Sequence, residues 1–141
     1  MTFIDANVIL RYVTTPENPN MARMSEASQR LFERVIEGTE TITISEAALT
    51  EVVYVMRSPR WYAFSPSEIS ARLKPLIGLP GFQIENKRRY LRALDIFVSY
   101  APHLDMEDAL SVAYVENTDP PEIYSFDTDF DRVSTVTRKE P

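Results

Sequence analysis

Five acidic positions stand apart from the other carboxylates by where they fall. Asp5 directly follows the apolar pair Phe3-Ile4 and precedes the apolar helical run Val8-Ile9-Leu10. In open α/β sheets ligands bind beyond the carboxyl ends of strands, where Asp5 would lie. Asp is equally a good helix N-cap, so the residue alone does not decide. Asp127 repeats the pattern at the end of Ile123-Tyr124-Ser125-Phe126, which reads as a buried strand. Glu51 lies in a helix whose core stripe reads as Ala48, Leu49, Val52, Val55 and Met56. At about 100° per residue it falls roughly 40° from Val55 and 60° from Ala48. An acid hemmed in that way is costly unless it holds a cation or a proton; the plain alternative is an edge glutamate reaching water. Asp105 and Asp108 are one turn apart at a helix start, where the dipole favours anions. The same spacing also serves as a capping pattern.

Together these acids suggest more than each does alone. Like charges brought together repel, so carboxylates converging from two strand ends and two helices imply a bound cation or raised pKa values. With no cysteine and a single histidine, His103, the available donors are oxygens, which suit Mg²⁺ or Mn²⁺. Hard cations among carboxylates fit phosphodiester hydrolysis, with metal-activated water attacking phosphorus and a metal stabilising the leaving oxygen. The run Asp127-x-Asp129-x-Asp131 resembles the opening of a calcium loop, but Arg132 and Arg138 occupy the positions that need Gly and Glu. It also resembles the nucleophile loop of haloacid-dehalogenase-like phosphatases, but only ten residues follow Asp131. Asp129 and Asp131 therefore read as turn and cap residues.

The elements that must position these acids alternate. Strands are expected at Thr2 to Ile4, Thr39 to Ile44, Phe82 to Ile84, Ile123 to Phe126 and near Ser134 to Val136. Helices are expected over Ala6–Val13, about Asn20 to Glu37 (stripe Met24, Ala27, Leu31, Val35), Ser45 to Arg57, from Ser65-Pro66, Asn86 to Tyr100 and Asp105 to Glu116. This order predicts an α/β/α sandwich with a mainly parallel sheet and many helices. The 141 residues suit one domain, 44% of them hydrophobic and 26% charged, which excludes a disordered chain. No stretch approaches the roughly 18 apolar residues of a membrane span, and the start lacks the basic-then-apolar pattern of a secretory leader. A cytoplasmic location is expected. The net charge of −6 argues against a general nucleic-acid binder, since phosphate affinity rests on Lys and Arg.

Four blocks resemble the PIN-domain ribonucleases, particularly the VapC-type toxins of toxin–antitoxin pairs. They are Phe3-Ile4-Asp5-Ala6-Asn7-Val8-Ile9-Leu10, then Ser45 to Met56 with Glu51 at its centre, then Asp105-Met106-Glu107-Asp108-Ala109-Leu110, then Ser125-Phe126-Asp127-Thr128-Asp129-Phe130. In order and approximate spacing they cover about residues 2 to 133, within a single PIN-like domain of residues 1–141. The resemblance implies a PIN-like fold and a metal site of Asp5, Glu51, Asp108 and Asp127. Asp105 would be a further acid, Asn7 would orient Asp5 or a metal-bound water, and Ser125 stands where the family's Thr-Phe-Asp has threonine. It further implies an Mg²⁺- or Mn²⁺-dependent endoribonuclease that forms a homodimer and is silenced by a cognate antitoxin protein. Two alternatives stay open: a catalytically degenerate PIN fold acting as a protein-binding module, and a metal-dependent phosphomonoesterase.

Cations and aromatics add a second theme. Arg57, Arg60, Trp61, Tyr62 and Phe64 form a basic-aromatic segment able to stack bases and bind phosphates, but read first as a contact for an antitoxin or second subunit, with ordinary packing as the plain alternative. Lys87-Arg88-Arg89 with Arg92 reads as a solvated face, Arg11 as a candidate phosphate contact, and His103 as a loop residue.

Overall fold

Short polar residues open nearly every helix of this chain. In the computed structural model, which describes all of residues 1–141, Asn18 Oδ1 accepts from the Met21 amide at 2.8 Å, and Ser45 Oγ accepts from the Ala48 amide at 3.1 Å. Ser65 Oγ accepts from the Glu68 amide at 3.2 Å and Asp105 Oδ1 from the Asp108 amide at 2.8 Å. Each bond satisfies one of the amides that a helix start leaves unpaired. Pro19 and Pro66 sit just inside two of these starts, where a missing N–H costs nothing.

The chain divides into two compact units, Met1–Lys87 and Arg88–Pro141. In the first, the order is β1 (Thr2–Phe3), α1 (Ala6–Val13), α2 (Pro19–Glu37), β2 (Ile42–Thr43), α3 (Glu46–Arg57), α4 (Pro66–Ile77) and β3 (Phe82–Gln83). The three strands pair in the order β1-β2-β3, all parallel, with Thr2 opposite Ile42 and Ile42 opposite Phe82. Parallel pairing puts the carboxyl ends of the strands on one edge, so Asp5 and Ser45 leave the sheet on the same side. Helix α1 packs against α2 and α3, around Ile9, Leu10, Phe32, Leu49, Val52 and Met56.

The second unit takes most of α5 (Lys87–Ser99), then α6 (Met106–Val115), β4 (Glu122–Tyr124), a 3₁₀ turn (Thr128–Arg132) and β5 (Thr137–Lys139). Strands β4 and β5 are parallel, with Ile123 opposite Arg138. Tyr90, Ala93, Leu94 and Ile96 of α5 and Ala109, Val112 and Ala113 of α6 are fully buried.

The α/β class, the six helices and the parallel pairing agree with the expectation from sequence. Three details do not. Helix α2 buries Ser25, Ser28, Phe32 and Val35, a face turned from the expected stripe. Phe32 sets the rotation, its ring 4.5 Å from Tyr12 and 6.2 Å from Phe82. The strand before Asp127 is Glu122–Tyr124 and is not buried: Tyr124 is 71% and Phe126 75% exposed. The last strand begins at Thr137, because Val133 and Val136 turn inward before it can pair.

Gly81 shows how tightly β2 meets its neighbours. Its carbonyl accepts from the Ile42 amide at 2.9 Å. A Cβ on it would stand 3.0 Å from Val35 Cγ1 and from the Val35 carbonyl, and 3.1 Å from the Glu40 carbonyl. Gly81→Ala should therefore destabilise the protein by about 1–3 kcal/mol through overpacking, read as a lower denaturant midpoint with an unchanged slope.

Candidate functional site

In the first unit the candidate acids take their places from the sheet edge. Asp5 caps α1, its Oδ1 accepting from the Asn7 amide at 3.4 Å. It is the backbone of Asn7, not its carboxamide, that reaches Asp5. Both side chains are exposed. Glu51 also differs from the sequence reading. The buried face of α3 is Leu49, Val52, Val53 and Met56, and Glu51 lies on the opposite side with Ala47 and Tyr54, all three exposed. Burial of Val53 rather than of Ala48 and Val55 rotates the helix, so Glu51 meets water. Arg11 is not an open arm: its Nε and Nη1 are enclosed and meet no acceptor.

In the second unit two acids share one helix start. Asp105 caps α6, with Asp108 in its first turn, half-buried. The Asp108 carboxyl titrates at about 6 instead of 3.8, foremost because burial penalises its charge. The Asp105 carboxylate adds repulsion and a hydrogen bond that favours the protonated form; the charge of Asp127 pushes the same way, and a hydrogen bond from the Asp105 backbone to the Asp108 carboxyl opposes them. Asp105 and Asp127 thus both act on the titration of Asp108.

Asp127 is held in a rigid turn. Its amide donates to Ser125 Oγ at 3.0 Å, and its Oδ1 accepts from the Asp129 amide at 2.9 Å. The Ser125 carbonyl accepts from Arg138 Nη1 at 3.0 Å, while Arg138 grips Asp131 through Nε at 3.0 Å and Nη2 at 3.1 Å. Asp129 pairs with Arg132 at 3.1 Å and faces His103 Nδ1 at 3.8 Å. The two later acids of the Asp-x-Asp-x-Asp run are therefore neutralised by the arginines that a calcium loop would not have. Arg138 is the positioning residue that sequence reasoning missed, since nothing in a gap of 13 residues announces its bond to Ser125.

The basic run at α5 is mostly engaged. Lys87 Nζ donates to the Leu79 carbonyl at 2.9 Å, and the Arg89 guanidinium lies 4.1 Å over the Tyr114 ring. Arg92 forks onto Glu116 at 2.8 and 3.0 Å.

The donors in both units are oxygens, the chemistry that Mg²⁺ and Mn²⁺ take. The raised titration of Asp108 marks a place where added positive charge is favoured. Within neither unit, however, do three or more acids or imidazoles stand close enough to enclose an ion by themselves.

Two comparisons bear on this arrangement. The family described as PIN domain matches residues 2–136, a span that runs through both units. No curated protein matches the chain.

The Asp108 pKa fixes a sign for stability. Between about 4 and 6 the folded chain binds a proton that the unfolded chain has released, so this carboxyl makes stability fall as pH rises through that window. Asp108→Asn should melt higher than wild type at pH 7.5, and the difference should vanish as pH falls towards 4; thermal unfolding across that range checks it.

Proposed function

The chain belongs to the PIN-domain family, and from that membership we propose that it is a divalent-metal-dependent endoribonuclease, the toxin of a toxin–antitoxin pair. PIN domains are generally nucleases that use divalent metal ions. The observation that supports the reading is the half-buried Asp108 carboxyl beside Asp105, held protonated up to about pH 6, with the charge of Asp127 acting in the same direction. Such a group is poised to exchange its proton for a cation.

The carboxylates we assign to the reaction are Asp5 and Glu51 in the first unit and Asp108 and Asp127 in the second. Asp105 raises the basicity of Asp108, and Ser125 fixes the turn that presents Asp127. A bound Mg²⁺ or Mn²⁺ would supply Lewis acidity, making water a nucleophile near neutral pH and stabilising the leaving oxygen of the phosphodiester. These side chains hold and orient the attacking water and accept its proton. The rest of the reading is a cognate antitoxin that silences the enzyme, a homodimeric state and action in the cytoplasm.

One observation favours a second reading. Because neither unit alone encloses an ion, a PIN fold that has lost catalysis and acts as a protein-binding module is the rival. A phosphomonoesterase is the third possibility by chemistry.

Asp5→Asn should abolish RNA cleavage while leaving the melting temperature within a few degrees of wild type; full cleavage by the purified variant would reject the assignment. Millimolar Mn²⁺ should raise the wild-type melting temperature, and the gain should grow from pH 5 to pH 7 as the proton on Asp108 ceases to compete. No gain at any pH would favour the binding module. Assayed side by side, RNA should be cut and a simple phosphomonoester spared; the reverse would identify the phosphatase.

A further inference from the structure

The first unit carries a face that the carboxylate chemistry does not use. On α3, Ala47, Glu51 and Tyr54 run along the side opposite the core, and Tyr54 is 72% exposed. Past the helix the chain is firmly held. The amides of Trp61, Tyr62 and Ala63 all donate to the Ser58 carbonyl, and the Phe64 amide returns to the Met56 carbonyl at 2.8 Å. Ala63 sits at φ 52°, a conformation that side chains rarely adopt. The Tyr62 and Phe64 rings meet at 5.5 Å, and Arg72 lies 4.3 Å over Phe64. Those three side chains fix the loop. Trp61 is left 61% exposed, with the Arg60 guanidinium 5.4 Å from its ring centre.

Six of the twelve arginines are held by acids, and Arg11, Arg23, Arg88 and Arg89 are among those that are not. Arg30, Arg34, Arg72, Arg92, Arg132 and Arg138 each pair with a carboxylate. Arg57 and Arg60 do not; Arg57 reaches only the Phe64 carbonyl, at 3.3 Å. A chain of net charge −6 thus leaves two guanidinium groups without an acid beside its only tryptophan.

We propose that Tyr54, Arg57, Arg60 and Trp61 form a track for single-stranded RNA beside Glu51, the rings stacking bases and the arginines meeting phosphates. Stacking on aromatic side chains and neutralising the backbone are the two means by which proteins hold unpaired strands. The pinned loop presents Trp61 ready-made, which spares the ordering cost of binding. Along the chain the exposed rings Tyr54 and Trp61 are flanked by Glu51, Ser58 and the two arginines rather than by further exposed large apolar side chains. Along α3, Tyr54 lies about 4.5 Å beyond Glu51 and Arg57 about as far again. The track takes its link to Glu51 from the nuclease reading, but binding can be measured without cleavage.

Because Trp61 is the only tryptophan, its fluorescence reports directly. In EDTA, a six-nucleotide single-stranded RNA should quench it saturably, and a blunt duplex of the same sequence should not. By anisotropy of the labelled strand, Trp61→Ala should weaken binding about 5- to 100-fold and Trp61→Phe should recover most of it. Arg57→Ala and Arg60→Ala should each flatten the slope of log affinity against log salt by about 0.7. No quenching, equal quenching by the duplex, unchanged affinity of Trp61→Ala, or a fluorescence change that follows protein concentration without RNA would each overturn the track, the last assigning the surface to a protein contact. Wild-type cleavage in Mn²⁺, measured alongside, separates the two proposals. Cleavage without a fluorescence response keeps the nuclease and rejects the track; quenching without cleavage keeps the track and rejects the nuclease.

Discussion

Burial of the Asp108 carboxyl beside Asp105, at the start of α6, is the constraint that sets the electrostatics of the second unit. Repulsion from Asp105 and Asp127 adds to that burial, and Asp108 retains its proton well above the usual range. The helix dipole and the Asp105 cap relieve only part of that repulsion. Every other acid of the neighbouring turn is neutralised: Asp129 by Arg132, Asp131 by Arg138. The arginines of this turn are thus taken up by Asp129 and Asp131, and none pairs with Asp105, Asp108 or Asp127.

The first unit solves a different problem, that of bringing distant segments to one edge with very short strands. Two residues of parallel pairing per strand suffice because the helices carry the core, with Phe32 fitted against Tyr12 and Phe82. Asp5 and the start of α3 then follow from the common direction of β1 and β2. The acids here are exposed and unstrained, so any demand for metal comes from the chemistry proposed for them rather than from burial.

Much of this was legible in the sequence because it is local. Caps at Ser45, Ser65 and Asp105 are recognisable by residue type and spacing, and so are the helices they open and the parallel α/β class. The crowding of Asp105 with Asp108 was visible as a one-turn spacing. What failed was rotation and long-range bonding. Helical periodicity allowed two settings of α3, and the burial of Val53 chose the one that turns Glu51 to solvent. Phe32 likewise outweighed the stripe expected for α2. An apolar run, Ile123 to Phe126, suggested a buried strand, yet two of its rings face outward. The hold of Arg138 on the Asp127 turn links residues that no pattern pairs.

That hold has a practical side. Arg138 lies two residues past the end of the family match at residue 136, in a strand of three residues that casual trimming would discard. Its guanidinium ties the backbone on one side of Asp127 to the acid on the other. A shortened protein cut at the homology boundary would keep every acid named above and lose the brace that shapes the loop presenting one of them.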